Sequence, residues 1–204
     1  VNVYILLDRS GSMESMWNEA LSSINAYVAE LPENTNVHLA VFDTDYNVIR
    51  NTTVEKWSPL SREDASPRGG TRLFDSAARI MYRAIDDNAD KTVIVVMTDG
   101  YENASVNFKQ TDIKNLAKTV ELKKWELIFL GANFDKIGDV AINNFGVGAG
   151  KFADIKEGNF KNYMSTTFSA ATKSYHRGTA AIDLTDNNIN LDDMKIKLNT
   201  TSVK

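Results

Sequence analysis

Cysteine is absent from the 204-residue chain, and histidine occurs only twice. The first absence excludes disulfide scaffolds, thiolate zinc sites, iron–sulfur clusters and cysteine nucleophiles, while leaving the redox compartment open. The second leaves a serine hydrolase without a base, because His38 lies inside an apolar run and His176 at the end of a helical period. No apolar stretch approaches the roughly 20 residues that span a bilayer as a helix, so no membrane association is expected. An excess of positive charge is missing too. Lys plus Arg number 23 against 27 Asp plus Glu, for a formal net charge of −4, and no basic run is longer than Lys123-Lys124. Nucleic acid binding needs a concentrated basic stripe, so it is not expected. Gly-x-Gly-x-x-Gly and P-loop sequences are also lacking, which leaves dinucleotide and ATP binding without support. The opening VNVYILLDRSGSM has no basic region and its apolar run stops at Asp8, so it does not read as a signal peptide. The expected location is cytoplasmic.

Short apolar runs alternate with helical periods along the chain. The runs fall at 3–7, 37–42, 93–97 and 126–130, with a more polar one at 46–54 and a weaker one at 151–155. They are continuous rather than alternating, as strands buried on both faces are. Between them, apolar positions recur at helical spacing. One face carries Met13, Met16, Trp17, Ala20, Leu21, Ile24, Val28 and Leu31; a second carries Phe74, Ala77, Ala78, Met81 and Ile85. Further faces are Ile113, Leu116, Ala117 and Val120, then Phe160, Tyr163, Met164, Phe168 and Ala171. The expected architecture is α/β: a doubly wound, mostly parallel sheet of about six strands with helices on both faces. Only three residues separate 37–42 from 46–54, too few for a parallel crossover, so that pair is expected to be an antiparallel hairpin at one edge. A domain over residues 1–177 is expected, followed by a polar tail, 178–204, either docked or mobile.

In such sheets ligands bind beyond the carboxyl ends of the strands, where strand order reverses. After the first run comes Asp8-Arg9-Ser10-Gly11-Ser12, and after the run at 93–97 comes Thr98-Asp99-Gly100. Arg68-Gly69-Gly70-Thr71 precedes the second helix. Five oxygen-bearing side chains thus converge: Asp8, Ser10, Ser12, Thr71 and Asp99. Singly, each is an ordinary cap or turn residue, and Ser12 stands where a cap would precede the first helix. Together they offer two carboxylates and three hydroxyls with no nitrogen or sulfur. That set suits magnesium or manganese better than zinc or copper.

DRSGSM resembles the Asp-x-Ser-x-Ser signature of von Willebrand factor A-type domains. GGTRLFDS is similar to that family's Gly-Gly-Thr loop, and VVMTDGYENAS to its strand-to-TDG segment. FLGANFD and the helix ending in Ser-Tyr-His-Arg look like the stand-alone bacterial and bacteriophage members, which implies a virion-associated location as the alternative to a cytoplasmic one if the chain is phage-encoded. The resemblance covers roughly residues 1–177 and implies a Rossmann-like fold with an intact metal-ion-dependent adhesion site. By resemblance, the ligands are Asp8, Ser10, Ser12, Thr71 and Asp99. It further implies Mg2+ or Mn2+, with Ca2+ less suited, an Asp or Glu presented by a protein partner, and no catalysis. Flanking the ligands in sequence, Arg9, Met13, Arg68, Arg72, Tyr101 and Glu102 are expected to form the rim that selects the partner, with Met13 open to turning into the core.

The rival reading is a metal-dependent phosphotransferase with Asp8 as nucleophile. That chemistry needs a second acid two residues on, and the chain has Ser10 there. Asp43 and Asp45 read as hairpin-turn residues, with a weak calcium contact as the alternative. Glu102 and Asn103 are candidates for orienting Asp99 or touching a partner. Trp17 and Trp125 read as core, and Trp57 as an exposed contact residue.

Overall fold

A computed structural model describes residues 1–185. Six strands form one sheet: β1 (Asn2–Asp8), β2 (Asn36–Phe42), β3 (Tyr46–Thr53), β4 (Thr92–Thr98), β5 (Glu126–Ala132) and β6 (Phe152–Ile155). The order is β3-β2-β1-β4-β5-β6. Only β3 runs antiparallel, as the three-residue connection requires. The chain leaves β1 toward β2 on one side and later returns to β4 on the other. The carboxyl ends of β1 and β4 therefore flank the point where strand order reverses.

Alternation along the buried strands sends successive side chains to opposite layers. Val3, Ile5 and Leu7 of β1, with Val93, Val95 and Met97 of β4, pack beneath α1 (Trp17–Ala29) and the helical segments after residue 160. Tyr4, Leu6, Ile94 and Val96 face the other layer, α2 (Leu73–Asp87) and α3 (Gln110–Leu122). Short α4 (Ile137–Asp139) completes that layer; α5 (Phe160–Tyr163) and α6 (Ser169–Arg177) complete the first. The apolar face of α2 is wider than its sequence period suggests. Leu73, Ile80 and Ala84 are fully buried beside Ala77, Ala78 and Met81, while Phe74 and Ile85 are half-buried. α1 is preceded by a tight turn, Gly11–Ser15, in which Met13 is fully buried, so it leaves the rim.

The stretch between β3 and α2 holds the Gly69-Gly70-Thr71 loop in place through a few polar anchors. Trp17 Nε1 donates to the Ala65 carbonyl at 3.0 Å. Asn25 accepts from Leu60 N–H at 2.8 Å and from Trp57 Nε1 at 3.2 Å. Trp57 is thus half-buried and anchored to α1 rather than exposed. Trp17 and Trp125 are core residues as expected. Beyond α6, Ile182 and Leu184 are buried. The backbone of Ile182 is held from both sides: its N–H donates to Glu126, and its carbonyl accepts from Lys151, which is itself ion-paired to Glu126. Residues 186–204 of the expected tail lie outside the described residues. Among the described residues no helix is long and apolar enough to cross a membrane.

Candidate metal centre

Parallel β1 and β4 lie side by side with Leu7 opposite Met97, so the residues just past them, Asp8 and Thr98-Asp99, meet at one edge. Asp8 is fully buried. One of its oxygens accepts from Ser10 N–H at 2.7 Å, the other from the Thr98 hydroxyl at 2.6 Å. Ser10 Oγ lies 3.1 Å from Ser12 Oγ, and Ser12 donates to Asp99 at 2.9 Å. Four of the five expected ligands thus form one continuous chain of contacts. Ser12 is not a helix cap: its hydroxyl is turned to Asp99, within the tight turn before α1.

Thr71 is buried on the third loop. Among the described residues no hydrogen bond joins its side chain to the other four, and the loop is brought alongside by backbone bonds. Gly11 N–H donates to the Gly69 carbonyl at 3.2 Å, and Arg68 N–H to the Arg9 carbonyl at 2.7 Å. Gly69 has φ of 67°, the left-handed region that glycine enters without steric cost. Thr71 N–H donates to Asn103 Oδ1 at 2.9 Å, and Asn103 N–H returns a bond to the Thr71 carbonyl at 3.1 Å. A side chain at Gly70 would place its Cβ 3.1 Å from that Asn103 oxygen, so the small residue leaves room for the clamp.

The segment after β4 is held to α2 by two carboxylates. Glu102 accepts from Phe74 N–H at 2.8 Å, in the first turn of α2, and from Ala104 N–H, Ser105 N–H and the Ser105 hydroxyl. Asp75 accepts from the N–H groups of Val106, Asn107 and Phe108 at 2.9–3.0 Å. Burial works to raise the Asp75 carboxyl, and these donors outweigh it, holding it below the usual range. Thr98, Asp75 and Asn103 are positioning residues for the site. Thr98 and Asp75 were visible in the sequence only as the residue before the TDG aspartate and as the last residue of the GGTRLFD run.

The expected rim needs correction. Arg9 is buried, its side chain 9% exposed, with Nε 3.0 Å from Asp43 and a terminal nitrogen donating to Asn47 at 2.6 Å. It fastens the β1 loop to the β2–β3 hairpin and cannot reach a partner. Arg68 is 57% exposed yet tied to the same hairpin, 2.7 Å from Asp43 and 3.2 Å from Asp45. Asp43 and Asp45 are therefore hairpin and ion-pair residues. Glu102 is used up by backbone and hydroxyl donors and orients α2 rather than Asp99. Tyr101, on the loop after β4, is 49% exposed and packed edge-on against Phe134 at 5.1 Å. Arg72 lies partly exposed at the start of α2, its Nε donating to the Ala104 carbonyl at 3.0 Å.

The electrostatics are those of an uncompensated acidic pair. Burial pushes the Asp8 carboxyl up to about 6, against hydrogen bonds from Thr98 and Ser10 that lower it, and the Asp99 charge adds to the rise. Asp99 is also raised, chiefly by burial. Neither carboxylate makes an ion pair with Lys or Arg among the described residues. A divalent cation would neutralise both. The donor set fits a hard ion, with carboxylates and hydroxyls only. Among the described residues no cluster of three or more His, Cys, Asp or Glu side chains could hold a metal, so an ion here would depend on the hydroxyls.

Such a sheet, with carboxylates and hydroxyls gathered at its reversal point, defines an α/β module with a ligand face at the strand ends. The chain matches the von Willebrand factor type A domain family over residues 2–173, and it belongs to that family. Solved structures agree on the fold. The von Willebrand factor type A protein from Catenulispora acidiphila superimposes with a TM-score of 0.62 at 14% identity, over 84% of this chain and 42% of that one. The PilB minor pilin from Streptococcus sanguinis gives 0.63 at 15% identity, over 88% of this chain and 62% of that one. The vWF domain of the type V pili tip protein Mfa5 from Porphyromonas gingivalis gives 0.64 at 11% identity, over 91% and 98%. The chain thus spans less than two thirds of the Catenulispora and PilB chains. No curated protein sequence matches it.

Proposed function

We propose that the chain is a protein-binding module whose adhesive surface is completed by a divalent cation, magnesium or manganese. Asp8, Ser10, Ser12, Thr71 and Asp99 would hold the ion, in the manner of the stand-alone bacterial and bacteriophage members of the family. The ion supplies a Lewis-acidic position that attracts an Asp or Glu side chain of the partner. The chain's own residues keep that position at the surface. Ser12 is exposed and Asp99 half-exposed, while Asp8 lies beneath them with both oxygens engaged. The observation that carries the reading is the contact chain from Asp8 to Asp99 through two serines, with no Lys or Arg paired to either carboxylate among the described residues.

The phosphotransferase alternative loses support on the same geometry. A nucleophilic carboxylate must reach a phosphorus atom in line, whereas Asp8 is fully buried beneath Ser12 with Ser10 and Thr98 on its two oxygens; a small cation needs only a remaining lone pair or a bridging water. The family resemblance to a minor pilin and a pilus tip domain also favours binding over catalysis. The test is affinity capture from the native host in magnesium and in EDTA, with Asp99→Ala as a third arm. Partners held in magnesium and lost in both other arms support the proposal. Capture indifferent to EDTA and to the substitution overturns it.

A further inference from the structure

A cleft of about 440 Å³ lies between the β2–β3 hairpin and the outer face of α2, lined by Thr44, Asn47, Arg72, Ser76, Arg79 and Asn107 among others. Arg72, Asp75, Ser76 and Arg79 recur at three- and four-residue spacing and so share one side of the helix. Arg79 lies over the Tyr46 ring, 5.2 Å from its centroid. Arg9, Arg50, Arg62, Arg68 and Arg83 all form ion pairs with carboxylates. Arg72 and Arg79 form none among the described residues. Two carboxylates also line the cleft, and both are engaged: Asp45 pairs with Arg68, and Asp75 accepts three backbone N–H groups. Two guanidiniums with unused donors are left facing one polar cavity.

The cleft adjoins the candidate metal loop. Arg72 follows Thr71 directly, and Thr44, on the cleft wall, lies 3.4 Å from where a Cβ on Gly69 would stand. We infer that this cleft is a second anion subsite of the binding face, taking a further Asp or Glu of an acidic partner segment whose first acidic residue goes to the metal position. The inference rests on the proposed function for the first contact only. Arg9 and Arg68 are consumed by Asp43, so selectivity for acidic partners moves from them to Arg72 and Arg79. A guanidinium holds a carboxylate through two parallel N–H bonds, which fixes spacing as well as charge. An extended chain advances about 3.3–3.6 Å per residue, so the separation of the two acidic residues is itself a readout.

The probes are short peptides with one aspartate, or with two separated by one to four glycines, titrated into the intact chain and followed by NMR on arginine Nε and backbone resonances. With magnesium, the two-aspartate peptide at the best spacing should bind roughly ten-fold tighter than the one-aspartate peptide, because the second contact is intramolecular. In EDTA it should still shift the Arg79 and Arg72 Nε signals. Arg79→Gln, a substitution on the solvent side of α2, should remove the ten-fold gain while leaving the one-aspartate affinity unchanged. Arg72→Lys should reduce the gain and keep the Ala104 contact available. A second aspartate that adds nothing at any spacing, or a gain untouched by Arg79→Gln, overturns the subsite. If neither peptide responds to magnesium while the Arg79-dependent shifts persist in EDTA, the subsite stands and the metal reading fails.

Discussion

Asp8→Asn should make the metal-free protein more stable. In the folded chain burial pushes the Asp8 carboxyl up to about 6, against 3.8 for the free side chain. Between those two values the folded state holds more protons than the unfolded state, so stability falls as pH rises through this window and levels off above it. About two pH units at 1.36 kcal/mol each amount to about 3 kcal/mol of stability lost by pH 7. An asparagine removes the charge and keeps the contacts. Its oxygen can accept from Ser10 N–H, and its amide can donate to Thr98 Oγ1. That hydroxyl is then free to donate to the Gly100 carbonyl, 3.3 Å away. In EDTA at pH 7.5 the variant should unfold about 2–3 kcal/mol later, or roughly 5–10 °C higher in a domain of this size. At pH 5 the gain should shrink to roughly half, and below pH 4 it should vanish. Magnesium should raise the midpoint of the original chain and not that of the variant, closing the gap. Calorimetric scans with and without the ion check all of this. A variant no more stable than the parent at pH 7.5 in EDTA, or a gain that does not change with pH, would refute the view of Asp8 as a strained carboxylate.

Metal affinity should fall as pH drops below about 6, because the Asp8 proton must leave before an ion is held; titrations at pH 5 and 7 check it. Asp75→Ala should cost about 3 kcal/mol, since three backbone donors lose a charged acceptor. Hydrogen exchange should accelerate at Val106, Asn107 and Phe108 before it does in β4. Arg9→Ala should destabilise the fold by about 2 kcal/mol, Asp43 keeping Arg68 as its remaining partner. Its effect on the affinity of a captured partner should be smaller than that of Arg72→Lys, and the reverse order would restore Arg9 to the rim.

The contact chain from Asp8 to Asp99 could be anticipated because its residues follow strands directly. A strand end has one place to be in a doubly wound sheet, and β1 and β4 were readable as continuous apolar runs. The β2–β3 hairpin followed from chain length alone. What escaped the sequence depends on groups far apart in the chain. Arg9 adjoins two of the proposed ligands and looks like a rim residue, but its partner Asp43 comes from a different loop, and nothing local announces that pair. Glu102 reads as a rim residue or as an orienting partner of Asp99, and Asp75 has no signal of its own beyond its place in GGTRLFDS. Each instead accepts several N–H groups that only the folded loop presents. Ser12 fits a helix cap by position, yet the tight turn Gly11–Ser15 carries it past the helix start and turns its hydroxyl to Asp99. Arg79 had no sequence signal, because its role depends on a cleft made by two elements.

The most direct test of the account is a manganese titration of the chelator-stripped chain, followed by electron paramagnetic resonance of the free ion. One manganese should bind per chain, be displaced by magnesium and be lost in Asp99→Ala, while the variant still folds as judged by circular dichroism. Manganese that does not bind, or that binds equally well to the folded variant, would contradict it.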